Sequence, residues 1–171
     1  SGGGIGGYWG DVRSNGIATA NNSRSTGSIP FMKVVDSQML AFNQGITRRG
    51  SYAAYMDIDH PEVEEFINIR KESGGDINRK CLNLHNGINL TNEFLQAIKN
   101  DDDWRLIDPK TKEAVKIVSA RELWWQILNA RAETGEPYMI NIDNCNDALP
   151  KSQKDLGLEI KQSNLCSEIT L

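Results

Sequence analysis

Between residues 51 and 142 the chain alternates strand-like and helix-like segments, and this alternation narrows the fold more than any other feature. Ser51–Ile58 is a strand candidate. Asp59, with Glu62 three residues on, makes a capping-box-like start for a helix with Val63, Phe66 and Ile67 as its apolar stripe. Gly74-Gly75 ends that region, and Leu82–Leu90 reads as the next strand. Thr91 or Asn92 can cap a short helix carrying Phe94, Leu95 and Ile98. Trp104–Ile107 and Ala114–Val118 flank Asp108-Pro109-Lys110 as a β-hairpin. Ser119 and Glu122 form a second capping box, opening a helix with Leu123, Trp124, Ile127 and Leu128 inward and Gly135 at its end. Tyr138–Ile142 is a further strand, followed by a polar connection. Strands separated by helices pair in parallel through crossovers, so the pattern predicts an α/β fold.

Upstream of this region the signals differ. Residues 1–27 are rich in Gly, Ser and Asn and read as loop. Ser28 suits an N-cap and Pro30 a first turn, and Phe31, Val34, Val35 and Leu40 predict the packed face of a helix closed by Gly45. Gly2–Gly7 has the glycine content of a dinucleotide fingerprint. No strand is expected before it, however, and Tyr8-Trp9-Gly10 does not open a helix.

A chain of 171 residues can bury one ordinary core. A net charge of −4 with a pI near 5.2 argues against a general nucleic-acid binder. No apolar run approaches the roughly 18 residues of a membrane span. Three widely spaced cysteines do not make a disulfide framework, which favours a reducing cytoplasm. His60 and His85 stand far apart with no Cys or carboxylate at ligand spacing, so no metal site is expected.

The chemistry concentrates at residues 164–171. If that run is extended, Asn164, Cys166 and Glu168 share one face, and Leu165, Ser167 and Ile169 form a packing face opposite. An isolated cysteine is more often a buried structural residue than a reactive one. A thiol flanked by an amide and a carboxylate can instead act on a hydroxyl-bearing ring, with the carboxylate as general base. Arg13, Arg48 and Arg49 have an ordinary reading as solvated loop charges.

Gln162-Ser163-Asn164-Leu165-Cys166, followed by Glu168-Ile169, resembles the active-site cysteine loop of the large, catalytic subunit of ribonucleotide reductase. Further matches run in order along nearly the whole chain. Gly3-Gly4-Ile5-Gly6 with Gly10-Asp11-Val12-Arg13 resembles the segment leading into that family's first effector loop, and Thr26–Phe31 the start of the next helix. Asn43–Gly50, containing Gln44 and Arg48, is similar to the loop that transmits effector identity to the substrate site, with Ile46 and Arg49 where glycines are common. His60-Pro61-Glu62-Val63 and Asn141–Asn146 also resemble family segments.

The resemblance implies part, roughly the first half, of a ten-stranded α/β barrel with the cysteine run as a loop threading it. It implies that Cys166 becomes a thiyl radical that removes the ribose 3′ hydrogen, with Glu168 as general base and Asn164 holding a ribose hydroxyl. Arg13 would contact effector phosphate, and Gln44 and Arg48 would lie in the specificity loop. Cys81 and Cys145 would be structural.

The family's large subunit is several times longer, so the resemblance implies a piece that is inactive alone. Expected partners are the remaining large-subunit polypeptide, a small radical-generating subunit that holds the metal-radical cofactor, a ribonucleotide substrate, and ATP or deoxynucleotide effectors. No directly bound cofactor, nucleic acid or membrane is expected. Two other readings stay open: a non-catalytic piece that completes a barrel, and a nucleotide-binding module without turnover.

Overall fold

The computed structural model describes residues 3–44 and 48–171, without the side chains of Asn43, Gln44 and Arg48. Four parallel strands form the main sheet, in the order β1 (Gly4–Tyr8), β4 (Ser51–Asp57), β5 (His85–Leu90), β8 (Tyr138–Asn141). Tyr8 lies opposite Tyr55, Tyr55 opposite Gly87, and Gly87 opposite Tyr138. Helix α1 (Ile29–Ala41) and the two-residue strands β2 (Asn43–Gln44) and β3 (Arg48–Arg49) lie between β1 and β4. Helix α2 (Val63–Ile67) links β4 to β5. The last crossover holds α3 (Asn92–Asn100), the antiparallel hairpin β6 (Asp103–Ile107) and β7 (Ala114–Ser119), and α4 (Ala120–Thr134). Two short helices, α5 (Ile142–Asp147) and α6 (Lys151–Lys154), follow β8, where sequence signals suggested only a polar connection.

Side chains alternate across the sheet, as the pleat requires. Ala54, Met56 and Ile88 face a helical layer contributed by Met32, Phe66, Phe94, Leu123 and Ile127. Ala53, Tyr55 and Ile140 face the other way, toward Ile142, Ile160 and the half-buried Leu165. Each fully buried Phe or Leu contributes on the order of 1.5–3 kcal/mol. Thr91 caps α3 by accepting from the Phe94 amide at 3.1 Å, and Ser119 caps α4 by accepting from Glu122 at 3.2 Å. Gly135 ends α4 in the left-handed region at φ 83, where its missing Cβ removes the steric cost.

The structure corrects four local expectations. Residues 4–8 are an edge strand of the sheet rather than loop. Helix α1 buries Ile29, Met32, Asp36 and Met39, while Phe31, Val34 and Leu40 are exposed, so its packed face is rotated from the predicted one. The rotation places Asp36 inward, where its carboxylate accepts from the Asn83 amide at 2.7 Å and the Leu84 amide at 2.9 Å. Those amides are thereby committed away from a ladder, and β5 starts at His85 rather than Leu82. The Asp59–Glu62 capping box does not form. Glu62 itself precedes α2, and its carboxylate instead accepts from the Ser28 amide and hydroxyl at 2.8 and 2.9 Å. The predicted stop at Gly45 lies outside the described residues; α1 ends at Ala41.

Candidate functional site

The terminal run is not extended. Ser163 and Thr170 pair antiparallel, the Asn164 amide donates to the Ile169 carbonyl at 3.0 Å, and the Leu171 amide donates to Gln162 at 2.8 Å. Residues 164–169 therefore form a closed turn, with Ser167 in the left-handed region at φ 64. Asn164, Cys166 and Glu168 all belong to this turn, so strand alternation does not set how their side chains are related.

This turn rests on the sheet face opposite the helices. Residues 161 to 165 run antiparallel to β1. Lys161 sits over the Tyr8 ring at 5.2 Å, Ser163 meets Gly6, and Leu165 meets Gly4. The segment thus descends from the C-terminal end of the strands along the sheet. A Cβ at Gly6 would lie 1.8 Å from the Ser163 carbonyl oxygen, and one at Gly4 would lie 2.2 Å from the Leu165 side chain. Alternate glycines in β1 thus admit the turn directly onto the backbone.

Polar anchors complete the seating. Asn89 on β5 donates from Nδ2 to the Lys161 carbonyl and to Asp57, both at 2.8 Å. Tyr55 donates to the Asn164 carbonyl at 2.7 Å.

Within the turn, the Asn164 side-chain oxygen accepts from the Ile169 amide at 3.2 Å and from the Ser163 hydroxyl at 3.1 Å. Its NH2 group is left to donate outward, so Asn164 can offer hydrogens to a ligand oxygen. Cys166 and Glu168 are exposed. An accessible carboxylate can remove a hydroxyl proton from a ligand that comes within hydrogen-bond reach.

The other expected residues are elsewhere. Arg13 lies in the loop after β1, half-buried, with Nη1 3.5 Å from the Ala18 carbonyl. That loop is held by Asp108, which accepts from the Ser14 amide and hydroxyl at 2.8 Å each, and by His60, whose Nε2 lies 2.8 Å from the Val12 carbonyl. The Gln44 and Arg48 side chains, with Gly45 and Ile46, lie outside the described residues. Cys81 is fully buried beside α1, and burial pushes its thiol up to about 12, with Asp36 adding to the effect. Cys145 is half-buried near Ile140.

A cleft of about 700 Å³ opens at the C-terminal ends of β1 and β4, lined in part by Tyr8, Asp57, Asp59, His60 and Lys161. None of Asn164, Cys166 and Glu168 lines it. Burial and the neighbouring Asp57 raise the Asp59 carboxyl above its usual range. Among the described residues no group of three or more His, Cys, Asp or Glu is placed to hold a metal ion. Among the described residues no helix is long and apolar enough to cross a membrane.

Sequence reasoning missed Tyr55, Ser163 and the role of Gly4 and Gly6. The alternate glycines of Gly4-Ile5-Gly6 were the available signal, since small residues two apart in a strand leave room on one face.

Comparison with known proteins identifies the family of the chain. The family described as ribonucleotide reductase, barrel domain, matches residues 1–171. A Frog virus 3 protein is 49% identical over 170 residues, covering 99% of this chain and 29% of that relative. The ribonucleoside-diphosphate reductase large subunit of Invertebrate iridescent virus 6 is 48% identical over 158 residues, covering 88% of this chain and 16% of the relative. Among solved structures, the Actinobacillus ureae class Id ribonucleotide reductase alpha subunit superposes with a TM-score of 0.75 at 30% identity, covering 98% of this chain and 27% of that one. The chain spans less than a third of the length of each.

Proposed function

The chain belongs to the ribonucleotide reductase large-subunit family through its barrel domain, and we propose that it supplies the radical cysteine loop of that enzyme. Its parallel sheet is a part of the family's ten-stranded α/β barrel. The observation that carries the proposal is the seated turn, which presents the exposed Cys166 thiol and Glu168 carboxylate on the sheet face away from the helices while the Asn164 oxygen is engaged within it.

In the assembled enzyme, Cys166 as a thiyl radical takes the ribose 3′ hydrogen, forming S–H and leaving the unpaired electron on the sugar carbon. Glu168 accepts the proton of the 3′ hydroxyl. Asn164 donates from its NH2 group to a ribose hydroxyl, because its oxygen is engaged within the turn. The small subunit supplies the radical, and cysteines elsewhere in the full large subunit supply the reducing equivalents. Arg13 contacts effector phosphate, while Gln44 and Arg48 belong to the loop that relays effector identity. ATP and deoxynucleotides are the effectors, and a ribonucleoside diphosphate is the substrate.

The test is Cys166→Ser in the complete enzyme, alongside Glu168→Gln. Removing the thiol is expected to abolish deoxyribonucleotide formation while leaving effector binding intact. Glu168→Gln is expected to lower kcat by roughly 10²–10⁴-fold, the range for lost general-base catalysis. Substantial turnover by Cys166→Ser would refute the assignment and favour a role limited to completing the barrel.

A further inference from the structure

We propose that Tyr55 is a positioning residue that sets where the Cys166 turn sits, an inference that rests on Cys166 being the reacting thiol. The Tyr55 ring is fully buried on the sheet face that the turn covers. Its hydroxyl donates to the Asn164 carbonyl at 2.7 Å and lies 3.3 Å from the Ser167 hydroxyl, so it grips the turn on both sides of Cys166. The turn's own bond to that carbonyl, from the Ser167 amide, is long at 3.4 Å. Hydrogen bonds of that length are weak, so the phenol is the better donor to the same oxygen.

The ring is itself held in a slot. A Cβ at Gly87 on β5 would lie 2.6 Å from the ring, and one at Gly6 on β1 would lie 3.1 Å from it. Glycine on both flanking strands lets the ring lie close between them, and leaves it little freedom to tilt. Burial raises the phenol above its ordinary value, so it remains a donor throughout the neutral range. A rigid donor rising from a central strand thus fixes the height of the thiol over the sheet, and hydrogen transfer is sensitive to that distance.

The test is Tyr55→Phe in the complete enzyme with its small subunit, which keeps the ring and removes only the hydroxyl. A fall in kcat of about 10- to 100-fold, with KM within about twofold, is expected from displacing a reacting group. Amide exchange at Ser167 and Ile169 should quicken roughly tenfold, the loss expected for one hydrogen bond, while β4 and β5 exchange as before. A role in packing alone moves neither reading, so unchanged kcat with unchanged exchange in the turn overturns the proposal. Should Tyr55→Phe not accumulate as folded enzyme, Ser167→Ala removes the second contact and is read by the same exchange measurement. Cys166→Ser separates the two claims. If it is inactive while Tyr55→Phe is fully active, the positioning role fails and the thiol assignment stands. If Cys166→Ser turns over, the thiol assignment fails and turn exchange alone decides whether Tyr55 holds the turn.

Discussion

At the residue scale, the site depends on atoms that are missing as much as on those present. Gly6 has a backbone oxygen 1.8 Å from where a Cβ would stand, and backbone cannot rotate away as a side-chain tip can. Gly6→Ala therefore has to push the Ser163 segment off the sheet. The expected result is loss of turnover in the complete enzyme with a stability cost of about 1–3 kcal/mol, the usual price of overpacking. Urea denaturation of the variant beside the parent checks the second figure. Nearly unchanged turnover in a folded Gly6→Ala enzyme would show that the turn tolerates displacement, and would count against close seating.

At the element scale, carboxylates rather than apolar stripes decide how segments meet. Asp36 turns α1 toward the start of β5, Glu62 holds the start of α1, and Asp108 ties the loop after β1 to the β6–β7 hairpin. Burial alone would raise the Asp108 carboxyl, but amides of Ser14, Thr111 and Lys110 and the Ser14 hydroxyl outweigh it and hold the group below its usual value. A carboxyl with a depressed folded value binds its proton more readily when unfolded. Its stabilisation is therefore complete above the unfolded value of about 3.9 and disappears as pH falls through the lower folded value. Asp108→Asn is accordingly expected to lower stability at neutral pH and to flatten its decline below about pH 4. Urea midpoints measured from pH 3 to 7 (roughly the span over which such carboxyls titrate) test this. An acid limb as steep as the parent's would show that Asp108 is not a main source of it.

At the scale of the whole molecule, β1 and β8 each pair on one side only among the described residues. Ile5 on β1 is 61% exposed and Met139 on β8 is 37% exposed. Unpaired strand edges with apolar side chains recruit further strands. Residues 1–171 produced by themselves are therefore expected to associate, and to become monodisperse when the rest of the large subunit is supplied. Size-exclusion chromatography at several concentrations distinguishes these states. A well-behaved monomer with slow exchange across residues 164–171 would show that this segment is autonomous.

The sequence by itself determined the α/β class, a cap at Thr91 or Asn92, the cap at Ser119, the helix end at Gly135, and the residues of the terminal turn. These are local matters, set by hydrogen bonds within a few residues or by the period of apolar side chains. The strand at Gly4–Tyr8 was not legible, because glycine has weak strand propensity and this strand exists through pairing with Ser51–Tyr55. The inward face of α1 was misread because a buried aspartate outweighed exposed Phe31 and Val34. Cys166, Glu168 and Asn164 could be named from their neighbours in the chain. Their seating could not, since it depends on Tyr55 and Gly6, which meet the turn, and on Gly87, which leaves room for the Tyr55 ring, and these three strands come together only when the sheet has formed.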